Sequence, residues 1–138
     1  MMDNVKELLT RAEAKTDRSH YRTVVKAGNH SVMTDEPVAA GGADAGISPQ
    51  QLLLASLGSC TAITLRMYID RKMWAVDEIT VGMEMFKISG NTVIEIKLDF
   101  EGDLSDDQKK RLVQIAEACP IHKLLSCKVI FETGLKQA

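Results

Sequence analysis

One long apolar segment, residues 49–72, constrains the fold of this chain more than any other feature. Its sequence is PQQLLLASLGSCTAITLRMYIDRK, and apolar side chains fall on nearly all sides of a helical projection. Ser48 is a suitable N-cap, Pro49 fits the first helical position, and Gln51 completes the spacing of a capping box. Polar residues such as Arg66 interrupt the apolar run, so the segment predicts a buried core helix rather than a membrane span.

Cys60 lies near the middle of this helix, on a side whose small residues allow another backbone to approach closely. A single cysteine in such a helix is commonly a core residue, because cysteine is among the most frequently buried residue types. The N-terminal stretch MMDNVKELL lacks the layout of a signal peptide, so we expect a cytoplasmic protein. In a reducing compartment its three cysteines favour catalytic or redox-sensing thiols over a structural disulfide framework.

Antiparallel strands are predicted on both sides of the helix. Residues 21–26 and 30–34 are rich in β-branched side chains and form a first hairpin. Residues 79–88 and 92–100 alternate between apolar and polar side chains and form a second, longer hairpin. Residues 2–14 fit either a short amphipathic helix or a strand, and periodicity does not decide between them.

The last third of the chain predicts a second helix, a short helical turn and a final strand. Ser105 begins the helix with a capping-box spacing and acidic residues in the first turn. Pro120 ends it directly after Cys119, because proline cannot continue a helix. Residues 121–126 suit a turn of helix, and residues 127–133 suit a strand.

The order of these elements predicts an α+β fold with an antiparallel sheet packed on a central helix. A glycine- and alanine-rich loop, residues 38–47, precedes the helix. The length of 138 residues suits a single domain over residues 1–138. A net charge of −2 with scattered basic residues and few aromatics gives no nucleic-acid or membrane surface, so we expect neither partner.

Two cysteine-bearing motifs resemble those of a known family. Cys60 within SPQQLLLASLGSCTAITLRMY and Cys119 within ACPIH are similar to the OsmC/Ohr family, the osmotically inducible protein C and organic hydroperoxide resistance proteins. The similarity runs from about Tyr21 to the C-terminus. It implies an OsmC-like fold, with antiparallel sheets wrapped around two long central helices in an intertwined homodimer, and it favours a strand for residues 9–15.

The resemblance also implies a function. Cys60 would be the peroxidatic cysteine, whose thiolate attacks an organic hydroperoxide and becomes a sulfenic acid. Cys119 would be the resolving cysteine, which closes a disulfide with Cys60 that a dithiol, such as a lipoyl protein, then reduces. The interpretation requires neither a metal nor a cofactor. The leading prediction is therefore a thiol-dependent peroxidase with a role in the oxidative stress response.

Two further positions carry the family's charge relay. The family places an arginine in the turn before the second strand; Arg18 falls nearest to that position and Arg22 is the alternative. The family also places a glutamate directly after the proline that starts the helix, and here that position is Gln50. A neutral amide can accept a hydrogen bond from a guanidinium but cannot neutralise it. The resemblance thus implies a retained thiol pair with an altered charge relay.

The surroundings of the thiols are predicted from residue type. An organic hydroperoxide needs an apolar pocket, and five residues are candidates to line it or to pack in the core: Leu52, Leu57, Met67, Met83 and Met85. His122 follows Cys119 by three positions and either orients that thiol or is exposed. His20 and His30 are expected on the surface. Cys127 is expected in the core with its strand neighbours.

Two other functions stay open from the sequence. Cys60, Cys119, His122 and Cys127 could supply four zinc ligands, although their spacing matches no known zinc knuckle. Alternatively, a non-catalytic dimer could bind a hydrophobic small molecule in the same apolar cavity, and Gln50 favours this hypothesis.

Overall fold

A computed structural model describes residues 5–137, and its regular structure begins with a three-stranded antiparallel sheet. The strands β1 (Glu13–Thr16), β2 (Thr23–Ala27) and β3 (His30–Thr34) lie in the order β1-β2-β3. The predicted first hairpin is confirmed, and β2 starts two residues later than expected. In the ambiguous segment 2–14, the strand begins only at Glu13; residues 5–12 have no regular structure, and residues 2–4 lie outside the described part.

A single carboxylate holds the loop that follows this sheet. Asp35 is buried, and its two oxygens accept four hydrogen bonds of 2.8–3.2 Å from the backbone amides of Tyr21, Glu36, Ala43 and Ala45. The Ala45 amide contributes most to lowering the pKa of Asp35, against the opposing effect of burial. The loop predicted over residues 38–47 is confirmed, with one short 3₁₀ turn at Val38–Ala40.

The helix α1 spans Pro49–Lys72, as predicted. Ser48 and Gln51 form the expected capping box through hydrogen bonds of 3.0 and 3.2 Å. One side of α1 packs into the core and contains Leu57, Gly58, Thr61, Leu65, Tyr68 and Ile69. The other side stays exposed, with 53% of Ile63 and 65% of Met67 accessible, so burial on all sides is not observed. By length and composition alone α1 is apolar enough to cross a membrane, a test that the core helix of a soluble protein also passes.

The second hairpin consists of β4 (Val76–Ile88) and β5 (Asn91–Gly102), which form a two-stranded antiparallel sheet. Ser89 and Gly90 make its turn, both with positive φ. The predicted faces are half-buried, and they contain Ile79, Val81, Met83, Met85, Ile94, Ile96, Leu98 and Phe100. Val93, which was not assigned to that face, is half-buried as well. This hairpin is therefore confirmed and is longer than the sequence indicated.

Two helices follow the hairpin. The helix α2 (Asp106–Glu117) begins with the predicted capping box between Ser105 and Gln108. Its buried side joins one hydrophobic core with α1 and β4, formed by Leu65, Tyr68, Ile69, Val76, Leu104, Leu112 and Ala116. The short helix α3 (Pro120–Ser126) starts with proline at its first position, directly after Cys119. α2 and α3 are thus separated by a sharp break.

The prediction of a final strand over residues 127–133 is wrong for this chain, because residues 127–137 have no regular structure. A strand requires a neighbouring strand to satisfy its backbone hydrogen bonds, and no described strand pairs with this segment. Cys127 is exposed rather than in the core, and so are its neighbours Val129 and Phe131, the latter by 85%.

The described chain is a mixed α+β fold with antiparallel sheets and three α-helices, as predicted. It divides into an N-terminal unit up to Leu52 and a C-terminal unit from Leu53, and each is described by itself. The organisation of residues 1–138 as a single domain stays a prediction.

Candidate active site

Cys60 and Cys119 are neighbours in the C-terminal unit, although they are far apart in the sequence. Cys60 is half-buried on α1, and Cys119 is fully buried directly before α3. Each thiol lies close enough to the other to shift its pKa. The two cysteines identified from the sequence are thus in contact, and neither forms a disulfide in this structure.

The packing of α2 explains the position of Cys119. Leu112 and Ala116 anchor α2 in the core, and the Cys119 amide donates a 3.2 Å hydrogen bond to the Ala116 carbonyl. The Cys119 carbonyl then accepts a 3.0 Å hydrogen bond from the Lys123 amide in α3. Because Pro120 forces the break between the helices, the side chain of Cys119 faces the protein interior.

The two thiols have opposite pKa shifts. Burial raises the pKa of Cys60, and the neighbouring Cys119 thiol raises it further, against smaller effects of the Ile121 amide and the Thr64 hydroxyl. Burial alone would also raise the pKa of Cys119. However, the Cys60 thiol, the amides of His122 and Ile121 and the Thr61 hydroxyl outweigh burial, so the pKa of Cys119 is lowered. Neither amide makes a regular capping hydrogen bond to the Cys119 side chain.

A surface cavity of about 390 Å³ opens beside Cys60. Its lining is mostly apolar and consists of Ser56, Ser59, Cys60, Ile63, Thr64, Met67 and Pro120. Of the five pocket residues predicted from the sequence, Met67 lies in this lining. Leu57 instead lines a second cavity, of about 200 Å³, together with His122 and residues of β5. Leu52, Met83 and Met85 are absent from both linings, and Met83 contacts the α1 backbone at Gly58.

The three histidines differ in their surroundings. His122 is half-buried in α3, where its amide favours a thiolate at Cys119 while its side chain lines the second cavity. His20 and His30 are exposed, as predicted. His122 therefore acts on Cys119 through its backbone, and sequence spacing alone does not reveal this contact.

The residues predicted to complete the charge relay lie in the N-terminal unit. Arg18 is exposed in the connection between β1 and β2, and Gln50 is the exposed second residue of α1. Arg22 lines a cavity of about 330 Å³ beside Asp17. Hydrogen bonds from Ser19 lower the pKa of Asp17, and the charge of Arg22 adds to this effect. The roles of Arg18, Arg22 and Gln50 toward the thiols stay predictions.

Two residues of the thiol cluster were not identified from the sequence. Thr61 is fully buried, and its hydroxyl donates a 2.9 Å hydrogen bond to the Leu57 carbonyl beside Cys119. Thr64 contacts Cys60 one helical turn further along α1. For Thr64 the available signal was its position four residues after Cys60, because residues four apart share one face of a helix. Thr61 directly follows Cys60, and this spacing gave no such signal.

The zinc hypothesis receives no support from the described residues. Within residues 5–137, no three side chains of His, Cys, Asp or Glu converge in a way that could hold a metal ion. The exposed Cys127 follows α3, whereas Cys119 is buried before it.

The profile of the OsmC-like protein family matches residues 41–134, which include both cysteines. The chain belongs to this family. No protein with a curated description matches this OsmC-like chain at a significant level. The resemblance inferred from the two cysteine motifs is thereby confirmed at the level of the family.

Solved structures of other OsmC-like proteins share the fold. The OsmC-like protein from Mycoplasma pneumoniae superposes with a TM-score of 0.74 at 15% identity, over 88% of this chain and 89% of that one. The organic hydroperoxide resistance protein from Elizabethkingia anophelis has a TM-score of 0.62 at 22% identity, over 86% and 89% of the two chains. A further organic hydroperoxide resistance protein, OsmC from Legionella pneumophila, has a TM-score of 0.61 at 18% identity, over 88% and 91%.

Proposed function

We propose that this OsmC-like protein reduces organic hydroperoxides with Cys60 and Cys119 as its redox pair. The observation that carries the proposal is the contact between these two thiols at the edge of an apolar cavity. Membership of the family supports it, and related structures named organic hydroperoxide resistance proteins share the fold. A hydrophobic peroxide would enter beside Ile63 and Met67 and meet Cys60 first, because Cys119 is fully buried.

The proposed reaction has two oxidative steps and one reductive step. The sulfur of Cys60 attacks a peroxide oxygen, which yields an alcohol and a sulfenic acid at Cys60. Cys119 then attacks the sulfenic sulfur, so that a disulfide forms and water leaves. A dithiol, such as a lipoyl group, reduces the disulfide through a mixed disulfide and restores both thiols. The short distance that the second step requires is consistent with the contact of the two side chains.

Arg18 and Gln50 are proposed to assist the attack, with Arg18 stabilising the developing charge and Gln50 orienting the guanidinium. Replacing Arg18 by Met should reduce turnover by at least tenfold, whereas Arg22→Met serves as the matched comparison. A larger loss in Arg22→Met would assign the role to Arg22 instead. Gln50→Glu should raise turnover, because a carboxylate can pair with the guanidinium and an amide cannot.

A homodimer in the cytoplasm is part of the same proposal. The exposed side of α1, with Ile63 and Met67, surrounds Cys60 with apolar surface that a second copy could cover. Residues 127–137 expose further large apolar side chains, including Ile130, Phe131 and Leu135. A second copy could also offer a strand with which this segment pairs, since no described strand of its own chain does so. Sedimentation of the purified chain should give twice the monomer mass, and a monomer at micromolar concentration would contradict the dimer.

Thiol titration before and after one equivalent of cumene hydroperoxide tests the redox pair. We expect the loss of two free thiols, with turnover once a lipoyl or other small dithiol is added. Cys60→Ser should abolish the reaction, and Cys119→Ser should stop at a sulfenic acid on Cys60. Cys127→Ser is the matched control and should react like the wild-type protein, because Cys127 is exposed and outside the pair. Unchanged turnover in Cys119→Ser would remove the resolving role.

A second candidate function is a non-catalytic dimer that binds a hydrophobic small molecule in the cavity beside Cys60. The raised pKa of Cys60 and the neutral Gln50 favour this alternative, because both reduce the availability of a reactive thiolate. In that case apolar ligands should bind at the cavity while peroxide consumes no thiols. Ile63→Asp should abolish binding under either function, so the thiol titration distinguishes the two.

A further inference from the structure

Asp35 joins two segments of the N-terminal unit that are distant in the sequence. Its Oδ1 accepts a 3.0 Å hydrogen bond from the amide of Tyr21, in the connection between β1 and β2. Its Oδ2 accepts hydrogen bonds of 3.2 and 3.0 Å from the amides of Ala43 and Ala45, in the loop that leads to α1. Only 2% of Asp35 is exposed, so water competes little for these hydrogen bonds. One carboxylate therefore fixes the connection to the loop.

The loop that precedes α1 has little freedom to move away from Asp35. The backbone amide of Asp35 donates a 3.2 Å hydrogen bond to the carbonyl of Ile47, three residues before Gln50. Gly42 packs so closely that a Cβ atom there would overlap the Glu36 carbonyl and lie 2.9 Å from Oδ1 of Asp35. The side chain and the backbone of Asp35 thus hold the chain that leads directly to Gln50.

The connection between β1 and β2 is also held by hydrogen bonds of its own, and it contains both candidate arginines of the charge relay. The Ser19 amide donates a 2.7 Å hydrogen bond to the Asp17 carboxylate, which closes a turn around Arg18. The Arg22 amide donates a 2.8 Å hydrogen bond to the Ser19 carbonyl. Tyr21 precedes Arg22 directly and follows Arg18 by three residues. The hydrogen bond from its amide to the buried carboxylate therefore fixes the backbone of both arginines.

We propose that Asp35 is a positioning residue of the redox reaction, because it sets where the arginine of the charge relay stands relative to Gln50. This inference rests on the proposed peroxidase function and deepens it. Arg18, Arg22 and Gln50 are all exposed, so packing around their own side chains does not fix them. Their relative placement must come from the backbone that carries them, and Asp35 holds that backbone on both sides.

The neutral side chain of Gln50 makes this support more important. A carboxylate can hold a guanidinium through two charge-assisted hydrogen bonds, whereas an amide oxygen holds it more weakly. An arginine beside Gln50 therefore depends more on its backbone for a productive position. A displacement of about 1 Å of a charged group can cost a large factor in rate, because the group then no longer meets the charge that develops in the reaction.

The first test measures the hydrogen bonds of Asp35 without any activity assay. Amide hydrogen exchange at Tyr21, Ala43 and Ala45 is compared between the parent and Asp35→Asn. An asparagine replaces one acceptor oxygen by an NH₂ group that faces amide donors, so exchange at one or both sets of amides should rise by about tenfold or more. Asp44→Asn is the matched control, because Asp44 is exposed in the same loop and its positive φ suits asparagine. Unchanged exchange in Asp35→Asn would overturn the proposal.

The second test asks whether Asp35 acts through the arginine. The variant Asp35→Asn should lower kcat/KM for cumene hydroperoxide by about tenfold in the parent. In whichever of Arg18→Met and Arg22→Met has lost activity, the same substitution should lower it by less than about twofold. A general loss of stability would instead lower the rate by the same factor in both backgrounds. Asp44→Asn should react like the parent.

A second variant displaces the loop and leaves the carboxylate in place. Gly42→Ala puts a methyl group against the Glu36 carbonyl, so the loop must shift away from Asp35. We expect the same loss of kcat/KM in the parent and the same absence of a further loss in the arginine variant. Gly82→Ala is the matched control, because its nearest neighbour, the Lys97 carbonyl oxygen, would lie 3.9 Å from the added Cβ atom.

The outcomes separate this proposal from the function on which it rests. If folded Asp35→Asn reacts at the parent rate, or if its loss multiplies with that of the arginine variant, Asp35 only stabilises the fold and the peroxidase function survives. If neither arginine variant loses activity, the proposal is overturned together with the charge relay. If peroxide consumes no thiols in the folded parent, the peroxidase function itself fails. Circular dichroism under the assay conditions verifies that each variant is folded.

Discussion

Oxidation of the thiol pair should stabilise the fold by an amount that the structure allows us to calculate. A bond between Cys60 and Cys119 would close a loop of about 60 residues, and the chain-entropy model gives about 4 kcal/mol for a loop of that length. Strain in the native state would reduce this value. Because α1 and the start of α3 already hold the two side chains in contact, we expect little strain and a gain of about 3–4 kcal/mol.

Urea unfolding of the reduced and the oxidised protein, both at the same protein concentration, measures this gain in stability. With a denaturant dependence of about 2 kcal/mol per molar urea, the midpoint should rise by roughly 1.5–2 M on oxidation. Cys119→Ser treated with the same peroxide should show no rise, and Cys127→Ser should behave like the parent. The reasoning fails if a protein with a verified Cys60–Cys119 disulfide unfolds at the same urea concentration as the reduced form. The bond would then form only at the expense of native geometry.

Three further predictions concern stability. Leu112→Ala should lower the free energy of unfolding, measured in urea, by about 3–4 kcal/mol because Leu112 is fully buried. Val113→Ala, at a neighbour that is 49% exposed, should lower it by under about 1 kcal/mol. Equal losses in the two variants would contradict the observed packing of α2. Ser48→Ala should lower stability by about 1 kcal/mol by removing the α1 cap. The pKa of Asp35 is held below its ordinary value of 3.8, so its stabilising effect is present at neutral pH and is lost as pH falls below about 4. Asp35→Asn should have a lower free energy of unfolding at neutral pH, and this free energy should fall less steeply as the pH is lowered. A steeper fall in the variant would refute the stabilising role of the Asp35 carboxylate.

The elements with local signals were predictable from the sequence. The start of α1 follows from Ser48 and Pro49, and the observed bounds agree with the predicted ones. The capping box at Ser105 likewise located α2. The alternation in 79–88 and 92–100 predicted the long hairpin, because a period of two is specific to a strand with one buried face.

The elements that depend on distant partners were not predictable in the same way. Residues 127–133 have strand-like composition, yet pairing decides whether a strand forms, and no described strand pairs with this segment. The organising role of Asp35 was also missed, because four amides from separate parts of the chain converge on it. The same is true of Thr61, whose effect on Cys119 appears only once α1 and α3 are packed together.

The two cysteines of the candidate site were predictable from the sequence, but the pKa shifts of their thiols were not. The motifs around Cys60 and Cys119 identified both thiols, because their local sequences are specific. Which sulfur holds the proton depends on burial and on the donors that surround each one, and these are properties of the packed structure. The resemblance implied a thiolate at Cys60, whereas burial in the described unit raises the pKa of this thiol.

The break between α2 and α3 has a consequence for how a redox cycle would be observed. Cys60 is fixed within a continuous helix of 24 residues, while Cys119 sits at a joint between two helices where proline interrupts the backbone hydrogen bonds. Displacement of either sulfur during the cycle should therefore be taken up at the joint. Amide exchange rates and fluorescent labels on α3 should therefore change with the oxidation state of the two cysteines. The same labels on α1 should give an unchanged signal.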